Sequence, residues 1–289
     1  MKPAPFEYVR IDHPDELSAL LTEHGPEAAV LAGGQSLMPI LNLRLRRPRV
    51  LLDLSRCRAL HDLTPTSGGL QIGAAVTQAT VLSWPRLAHQ VPLLALALPH
   101  VGNPQIRSRG TLCGSLAHAH PQAELPLCLA ALDGEIVLRS QRGERRIAAA
   151  DFFIAAQKTA CRPDEYIAQA HIPCQSIDEG SAFLEVAVRA TGQAQVACAA
   201  IAGPHRLRLA VLAGQATPQV HDYPLLPEAD LRDQLDIIAR SLALSCASAD
   251  DDAYRRQLVV SLGLNALKQA QRARDRRAAV DAQIMEHRR

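Results

Sequence analysis

The chain has 289 residues, of which 48% are hydrophobic and 21% charged, a composition that fits one or two globular domains. A net charge of +2 and only 3% aromatic residues argue against a nucleic-acid-binding protein. The seven cysteines include no Cys-x-x-Cys pair, which argues against a disulfide framework and a cysteine-rich metal site. We see no secretory signal and no apolar run of membrane-spanning length, so we expect a cytoplasmic protein.

The first half of the sequence alternates short apolar strands with helices. A proline in the first turn and a glycine after the last predict a helix at Pro14–His24. Further helices are predicted at residues 36–43, 77–89 (capped by Thr77), 92–98 and 122–132. Strands are predicted at residues 28–31, 50–54, 70–76, 135–139 and 166–172, the last as an edge strand.

The second half has a different order of predicted elements, with strands first and helices after them. Three strands at residues 182–190, 195–202 and 206–213 are separated by short glycine turns, which favours an antiparallel meander. Two helices follow at residues 231–244 and 250–274. A sheet with helices on one face is an α+β layer, and we place the boundary before it near residues 174–180.

A first glycine loop, Ala32-Gly33-Gly34-Gln35-Ser36, directly follows a predicted strand. Adjacent glycines permit positive φ and let the backbone approach a ligand closely. Consecutive backbone N–H groups in such a turn suit an anion, and the Ser36 hydroxyl adds a donor. Taken alone, the pattern also fits a tight turn that binds nothing.

A second loop, residues 107–118, has the same character, with glycines at 110 and 114 and hydroxyl groups at 108, 111 and 115. Neither loop has the spacing of a Walker A motif or of a Rossmann fingerprint. Two such loops could hold a diphosphate from both sides. Together they are more specific than either alone.

These residues carry a resemblance to a known family. Residues 32–45, Ala-Gly-Gly-Gln-Ser-Leu-Met-Pro-Ile-Leu-Asn-Leu-Arg-Leu, resemble the first flavin loop of the FAD-binding subunits of molybdenum hydroxylases. That family includes the medium subunit of carbon monoxide dehydrogenase and the flavin domain of xanthine dehydrogenase. Residues 101–119 resemble its second loop, and Pro-Gln-Ala-Glu-Leu-Pro at 121–126 continues the pattern. Residues 183–186 and the Gly192 turn resemble its C-terminal domain.

The resemblance implies an α+β fold with two domains. Residues 1–175 would form a two-part FAD-binding domain of the vanillyl-alcohol oxidase/PCMH type, with parts at 1–56 and 57–175. Residues 178–285 would form a CO dehydrogenase flavoprotein-like domain, a three-stranded antiparallel sheet with helices.

The resemblance also implies cofactor-binding positions but no catalytic acid or base and no metal ligand. Both loops would wrap the FAD diphosphate, Glu124 would contact the adenosine side, and apolar residues would pack near the isoalloxazine ring. The implied residues are Leu31, Ala32, Gly33, Gly34, Gln35, Ser36, Leu37, Val101, Gly110, Thr111, Leu112, Cys113, Gly114, Ser115, His118, Glu124, Ile167 and Glu185.

Several positions depart from the family pattern. Cys113 replaces the usual Gly, His120 a common Asp, and Glu185 a frequent Lys or Arg. Ala190-Thr191-Gly192-Gln193-Ala194 lacks the second arginine and the aromatic residue that the family often has there. The resemblance therefore predicts the contacts around the flavin ring less clearly than the contacts of the two loops with the diphosphate.

The resemblance implies an electron-transfer subunit of a multi-subunit molybdenum hydroxylase. A large subunit would carry the molybdenum cofactor, a small one two 2Fe–2S clusters, and FAD here would pass electrons to NAD⁺, oxygen, a quinone or another acceptor. A dimer of heterotrimers is the expected assembly.

Other functions stay open. A stand-alone FAD oxidoreductase of the same superfold would need its own substrate pocket, and a flavin-free scaffold subunit would have lost the cofactor. A metal site at His118 and His120, with His100, Cys113 and Cys128, lacks paired cysteine spacing. A serine hydrolase lacks the Gly-x-Ser-x-Gly elbow.

Overall fold

The computed structural model describes residues 2–189, 192–244 and 248–287, with side chains through residue 279. Two compact units emerge. Unit 1 comprises residues 1–84, 102–119 and 133–173, and unit 2 comprises residues 85–101, 120–132 and 174–289. Segments 85–101 and 120–132 therefore belong with the C-terminal part of the chain. The domain boundaries implied by the resemblance stay a prediction.

Unit 1 begins with a parallel three-stranded sheet in the order β1-β3-β2. Its strands are β1 (Glu7–Arg10), β2 (Ala28–Leu31) and β3 (Val50–Asp53), connected by helices α1 (Pro14–His24) and α2 (Leu37–Asn42). Helix α1 has the predicted bounds because Pro14 lies in its first turn and Gly25 follows its end with φ 51°. Buried leucines on one face of α1 pack on β3, which fixes this sheet in the core.

The second sheet of unit 1 is antiparallel, in the order β4-β5-β10-β6-β7. Its strands are β4 (Leu63–Pro65), β5 (Gly69–Gly73), β6 (Glu135–Ser140), β7 (Gly143–Ala148) and β10 (Tyr166–Pro173). The remaining elements of unit 1 are short: α3 (Gln78–Leu82), α6 (Pro104–Arg107), α7 (Leu112–His118), α9 (Ala149–Phe152), β8 (Phe153–Ala155) and β9 (Lys158–Thr159).

Two predictions in this half are wrong. Strand β10 is central, not an edge, because it pairs with both β5 and β6. The helix predicted at 77–89 ends at Leu82, and α4 (Leu87–Gln90) begins after Pro85. Proline lacks an N–H and disfavours helical geometry in the residue before it, so it interrupts the helix.

Unit 2 is built on an antiparallel sheet in the order β11-β12-β13-β14. Its elements are α4, α5 (Pro92–Ala97), α8 (Glu124–Ala131), β11 (Gly180–Ala187), β12 (Ala194–Ala202), β13 (Arg206–Leu212), β14 (Gln219–Pro224), α10 (Glu228–Ser241) and α11 (Ala249–His287). Alternate residues of β12 and β13 lie in one hydrophobic cluster with α10 and α11, because successive side chains of a strand point to opposite faces of the sheet.

The C-terminal sheet has four strands rather than the three predicted. The missed strand β14 is polar and ends in a proline, so it carries no apolar alternation. The first predicted strand extended to Ala190, which lies outside the described residues. The mixed α+β class is confirmed. No helix in the described ranges is long and apolar enough to cross a membrane.

Candidate functional site

The two glycine loops lie side by side in unit 1. The first loop (residues 31–37) runs from the end of β2 to the start of α2, and the second loop (residues 107–118) includes α7. A Cβ added to Gly33 would lie 2.1 Å from the carbonyl oxygen of Arg109 and 2.7 Å from the Cα of Gly110. Only a residue without a side chain permits this approach. The tertiary structure thus brings together segments about 80 residues apart in the sequence.

The backbone of the first loop presents unpaired donors. Gly34 has φ 73°, a conformation that L side chains rarely adopt, and its carbonyl accepts from Met38 N–H at 3.0 Å. The consecutive backbone N–H groups of residues 33–36 donate to no acceptor among the described residues. A row of free N–H groups in a turn of this kind forms a nest for an anion.

The second loop is ordered by its own threonine. Thr111 caps α7, its hydroxyl oxygen accepting from the backbone N–H of Gly114 at 3.0 Å. The backbone N–H groups of Thr111 and Cys113 have no acceptor in the described part of the chain. The loop therefore also offers main-chain donors, and the Cβ position at Gly114 lies 4.0 Å from Ala32 Cβ.

These features fit the diphosphate of a dinucleotide. Main-chain donors from two adjoining loops can contact phosphate oxygens, and the missing side chain of Gly33 lets the loops adjoin. The other predicted cofactor-binding residues of these segments also lie within the loops. They are Leu31, Ala32, Gln35, Ser36 and Leu37 in the first loop, and Gly110, Leu112 and Ser115 in the second.

Cys113, where the family has Gly, is buried behind the second loop. Its Sγ donates to the Ile72 carbonyl at 3.4 Å, and burial raises its pKa to about 12. The thiol therefore faces β5 as a small neutral group. Its N–H stays free for a ligand.

A group of titratable side chains, here called the acidic cluster, lies in unit 2: His100, Glu124 and Glu185. His100 Nδ1 is 3.1 Å from Glu185 Oε1, and the His100 ring packs on Phe183 with centroids 5.2 Å apart. The Glu185 side chain is 7% exposed, and its Oε2 has no hydrogen-bond partner among the described residues. Burial raises the pKa of Glu185, an effect that His100 partly offsets.

Glu124 is the second buried carboxyl of the cluster. It is the first residue of α8 and is 8% exposed. Burial, together with the charge of Glu185, raises its pKa to about 7. The charge of Glu185 therefore makes ionisation of Glu124 less favourable.

Two of the positions that depart from the family pattern, His120 and Ala194, also lie in unit 2. His120 Nδ1 accepts from the backbone N–H of Gln122 at 3.2 Å, and burial lowers the His120 pKa. Gln122 Nε2 donates to the carbonyl of Ala194 at 2.9 Å. Ala194 is buried at the start of β12, where a larger side chain would have to displace its neighbours. Ala190 and Thr191 lie outside the described residues.

The remaining predicted residues are divided between the units. Ile167 lies on β10, and His118 ends α7, both in unit 1, whereas Val101 lies in unit 2 beside His100. His118 and His120 do not share a strand face, because His118 is helical and Ala119 has φ 45°. The described residues contain no group of three or more His, Cys, Asp or Glu side chains arranged to hold a metal ion.

Sequence reasoning named His100 only beside a possible metal site and did not single out Gln78. In the structure, His100 Nδ1 lies 3.1 Å from Glu185 Oε1, and Gln78 contacts the second loop. Neither belongs to a local motif, and their partners lie 85 and 33 positions away. The Thr77 helix cap was the nearest signal to Gln78.

Comparisons with known proteins agree with this architecture. The family described as FAD binding domain in molybdopterin dehydrogenase matches residues 4–175. Caffeine dehydrogenase subunit beta of Pseudomonas sp. strain CBB1 is 38% identical over 204 residues, covering 70% of this chain and 69% of that protein. The carbon monoxide dehydrogenase medium chain of Hydrogenophaga pseudoflava is 31% identical over 201 residues, 70% of each chain.

A solved structure is similar over nearly the whole chain. Quinoline 2-oxidoreductase from Pseudomonas putida 86 contains a chain with a TM-score of 0.86 and 29% identity, covering 95% of this chain and 100% of that one. Sequence and fold therefore agree, and this chain belongs to the FAD-binding subunits of the molybdenum hydroxylases, a family of oxidoreductases.

Proposed function

We propose that this chain holds FAD with its diphosphate against the two glycine loops and transfers electrons within a multi-subunit molybdenum hydroxylase. Bound FAD would supply the redox chemistry, taking electrons from 2Fe–2S clusters on a partner subunit and giving them to an external acceptor. The chain's own residues bind and orient the cofactor. No side chain here is assigned as a catalytic acid or base.

The contact between the two loops is the observation that carries the proposal. Gly33 approaches Arg109 and Gly110 too closely for any side chain, and unpaired N–H groups lie on both loops. A turn that binds no ligand has no need of free main-chain donors on two adjoining segments, whereas a bound diphosphate would accept hydrogen bonds from both sets.

The other contacts are proposed from the resemblance. Val101 and Ile167 would pack near the isoalloxazine ring, and both are buried apolar residues. His118, Glu124 and Glu185 would supply polar contacts. We also propose the vanillyl-alcohol oxidase/PCMH type for residues 1–175 and the CO dehydrogenase flavoprotein-like type for residues 178–285, in which β11–β14 lie.

The partners are proposed from the relatives. These relatives are a subunit beta and a medium chain of dehydrogenases. We therefore propose a large molybdenum-binding subunit and a small iron–sulfur subunit as partners, assembled as a dimer of heterotrimers. The reacting substrate would be selected on the large subunit.

Purification tests this proposal in two steps. The chain expressed alone should carry a flavin absorption band, at about one FAD per chain, and should turn over no small alcohol or amine. Co-expressed with the adjacent large and small subunits, it should co-purify with iron and molybdenum. Turnover by the isolated chain would instead indicate a stand-alone oxidoreductase, and a colourless protein that assembles would indicate a scaffold.

A further inference from the structure

Gln78 is a buried polar residue directly behind the second loop. It is the first residue of α3, 4% exposed, and follows Thr77, whose hydroxyl caps the helix by accepting from Thr80 N–H at 3.1 Å. Buried helix positions of this kind are commonly apolar. A buried polar amide at Gln78 is therefore unexpected unless its contacts serve a purpose.

The backbone and side chain of Gln78 both bind the loop. Its N–H donates to the Gly110 carbonyl at 2.8 Å, and its Nε2 donates to the Thr111 carbonyl at 3.4 Å. Because a trans peptide directs its C=O and N–H to opposite sides, the bond from the backbone N–H of Gln78 to the Gly110 carbonyl turns the Thr111 N–H away from Gln78. That N–H is one of the unpaired donors of the second loop. The side-chain bond holds the next carbonyl, that of Thr111, so Thr111 is held on both sides.

Gly110 lies between Gln78 and the first loop. The Cβ position of Gly110 is 3.2 Å from Gln78 Oε1, and the Cβ position of Gly33 is 2.7 Å from Gly110 Cα. A side chain at Gly110 would come close to the Gln78 amide, and one at Gly33 would clash with Gly110, so both glycines are needed where the loops adjoin.

The orientation of the Gln78 amide is determined by its surroundings. Its Oε1 is buried and has no hydrogen-bond partner among the described residues. Rotating the amide would place Oε1 against the Thr111 carbonyl oxygen, where two acceptors repel each other. The observed orientation keeps the donor to the loop, although one acceptor is left unpaired.

From this geometry we infer that Gln78 is a positioning residue for cofactor binding: it holds the second loop so that its main-chain donors face the diphosphate. The inference rests on the proposed function, because it concerns the same two loops. The described contacts of Gln78 are with Gly110 and Thr111 of the second loop.

The first test compares two buried glutamines. Gln78→Met keeps the length of the side chain but removes the donor, and we expect FAD affinity to fall about 5- to 10-fold, the loss of one net hydrogen bond. Gln215→Met is the matched control: Gln215 is 5% exposed in unit 2, and both ends of its amide bind backbone groups of β13 and Ala213. We expect it to lower the unfolding midpoint but leave FAD affinity within about 2-fold.

The second variant, Gln78→Glu, gives a pH readout that a merely structural role would not produce. An ionised carboxylate cannot donate to Thr111 and places a negative charge behind the loop, whereas the protonated acid can donate. We expect the ratio of variant to wild-type FAD affinity to rise as the pH falls from about 8 to about 5. This variant also serves if Gln78→Met does not fold.

FAD titration by flavin fluorescence, with thermal unfolding of the same samples, separates the outcomes. If wild type binds FAD and Gln78→Met binds it as tightly, or the affinity of Gln78→Glu relative to wild type does not change with pH, the positioning role is wrong and the proposed function stands. If wild type binds no FAD, the proposed function fails and this inference fails with it. Weaker binding by Gln78→Met together with recovery of Gln78→Glu at low pH supports the positioning role.

Discussion

The glycine loops of unit 1 and the acidic cluster of unit 2 are built from different chemistry. The loops offer main-chain N–H groups, and the contact at Gly33 leaves no room for a side chain. The acidic cluster consists of the side chains of His100, Glu124 and Glu185, and burial raises the pKa of both carboxyl groups. The glycine loops therefore present fixed main-chain dipoles, whereas the carboxyl groups of the acidic cluster gain or lose charge with pH.

This difference predicts which departures from the family pattern affect cofactor binding least. A main-chain donor survives exchange of its side chain, so we expect Cys113, in place of the usual Gly, to leave binding intact. A cluster of ionisable groups changes with every substitution, and Glu185 stands where Lys or Arg is frequent. We therefore expect substitutions to alter the acidic cluster more than the glycine loops.

The largest effect is expected from Gly33→Ala. The added Cβ would lie 2.1 Å from a carbonyl oxygen, so the loops must separate, and FAD affinity should fall at least about 100-fold. Gly68→Ala is the control, since a Cβ there meets nothing within 4 Å. Equal FAD binding by both variants in fluorescence titration would show that loop contact is irrelevant to the cofactor.

The acidic cluster should respond to pH instead. Since burial raises the pKa of Glu124 from 4.5 to about 7, the folded state holds its proton to higher pH than the unfolded state does. The stabilisation is complete below about pH 4.5 and is lost as the pH rises through about 7, by up to about 3 kcal/mol. Urea unfolding at pH 5 and pH 8 measures it, and Glu124→Gln should flatten the difference. An unchanged slope in that variant would contradict the assignment.

A smaller effect is expected from Thr111→Val, which removes the cap of α7 but keeps the side-chain shape. The free energy of unfolding should fall by about 1 kcal/mol, with weaker FAD binding because Gly114 N–H loses its acceptor. Thr111→Ser retains the hydroxyl and should behave like wild type in both measurements. Loss of binding in Thr111→Ser would point to the methyl group rather than the cap.

The smallest effect is expected from Cys113→Gly, which restores the family residue. FAD affinity should stay within about 2-fold because the N–H is kept, and stability should fall by about 1 kcal/mol since glycine is a poorer helix former. The buried thiol, with its pKa raised to about 12, should also resist iodoacetamide in the native protein. Rapid alkylation would show that the second loop opens.

Local sequence signals predicted the bounds of some helices correctly. Pro14 and Gly25 determine the ends of α1, and the bounds agree because both signals act within one helical turn. The split of the helix after Leu82 could have been read from Pro85. The central position of β10 could not have been predicted in this way, because the sequence of a single strand does not show which distant strands will pair with it on each side.

For the candidate site, the sequence by itself determined the two glycine loops, their order and their family, because glycine spacing and small polar residues are local requirements of a close backbone approach. Only the tertiary structure decided that Gly33 meets Gly110, that Gln78 lies behind them, and that Glu185 pairs with His100. These contacts join residues dozens of positions apart. They depend on how strands and helices pack, which no short stretch of sequence specifies.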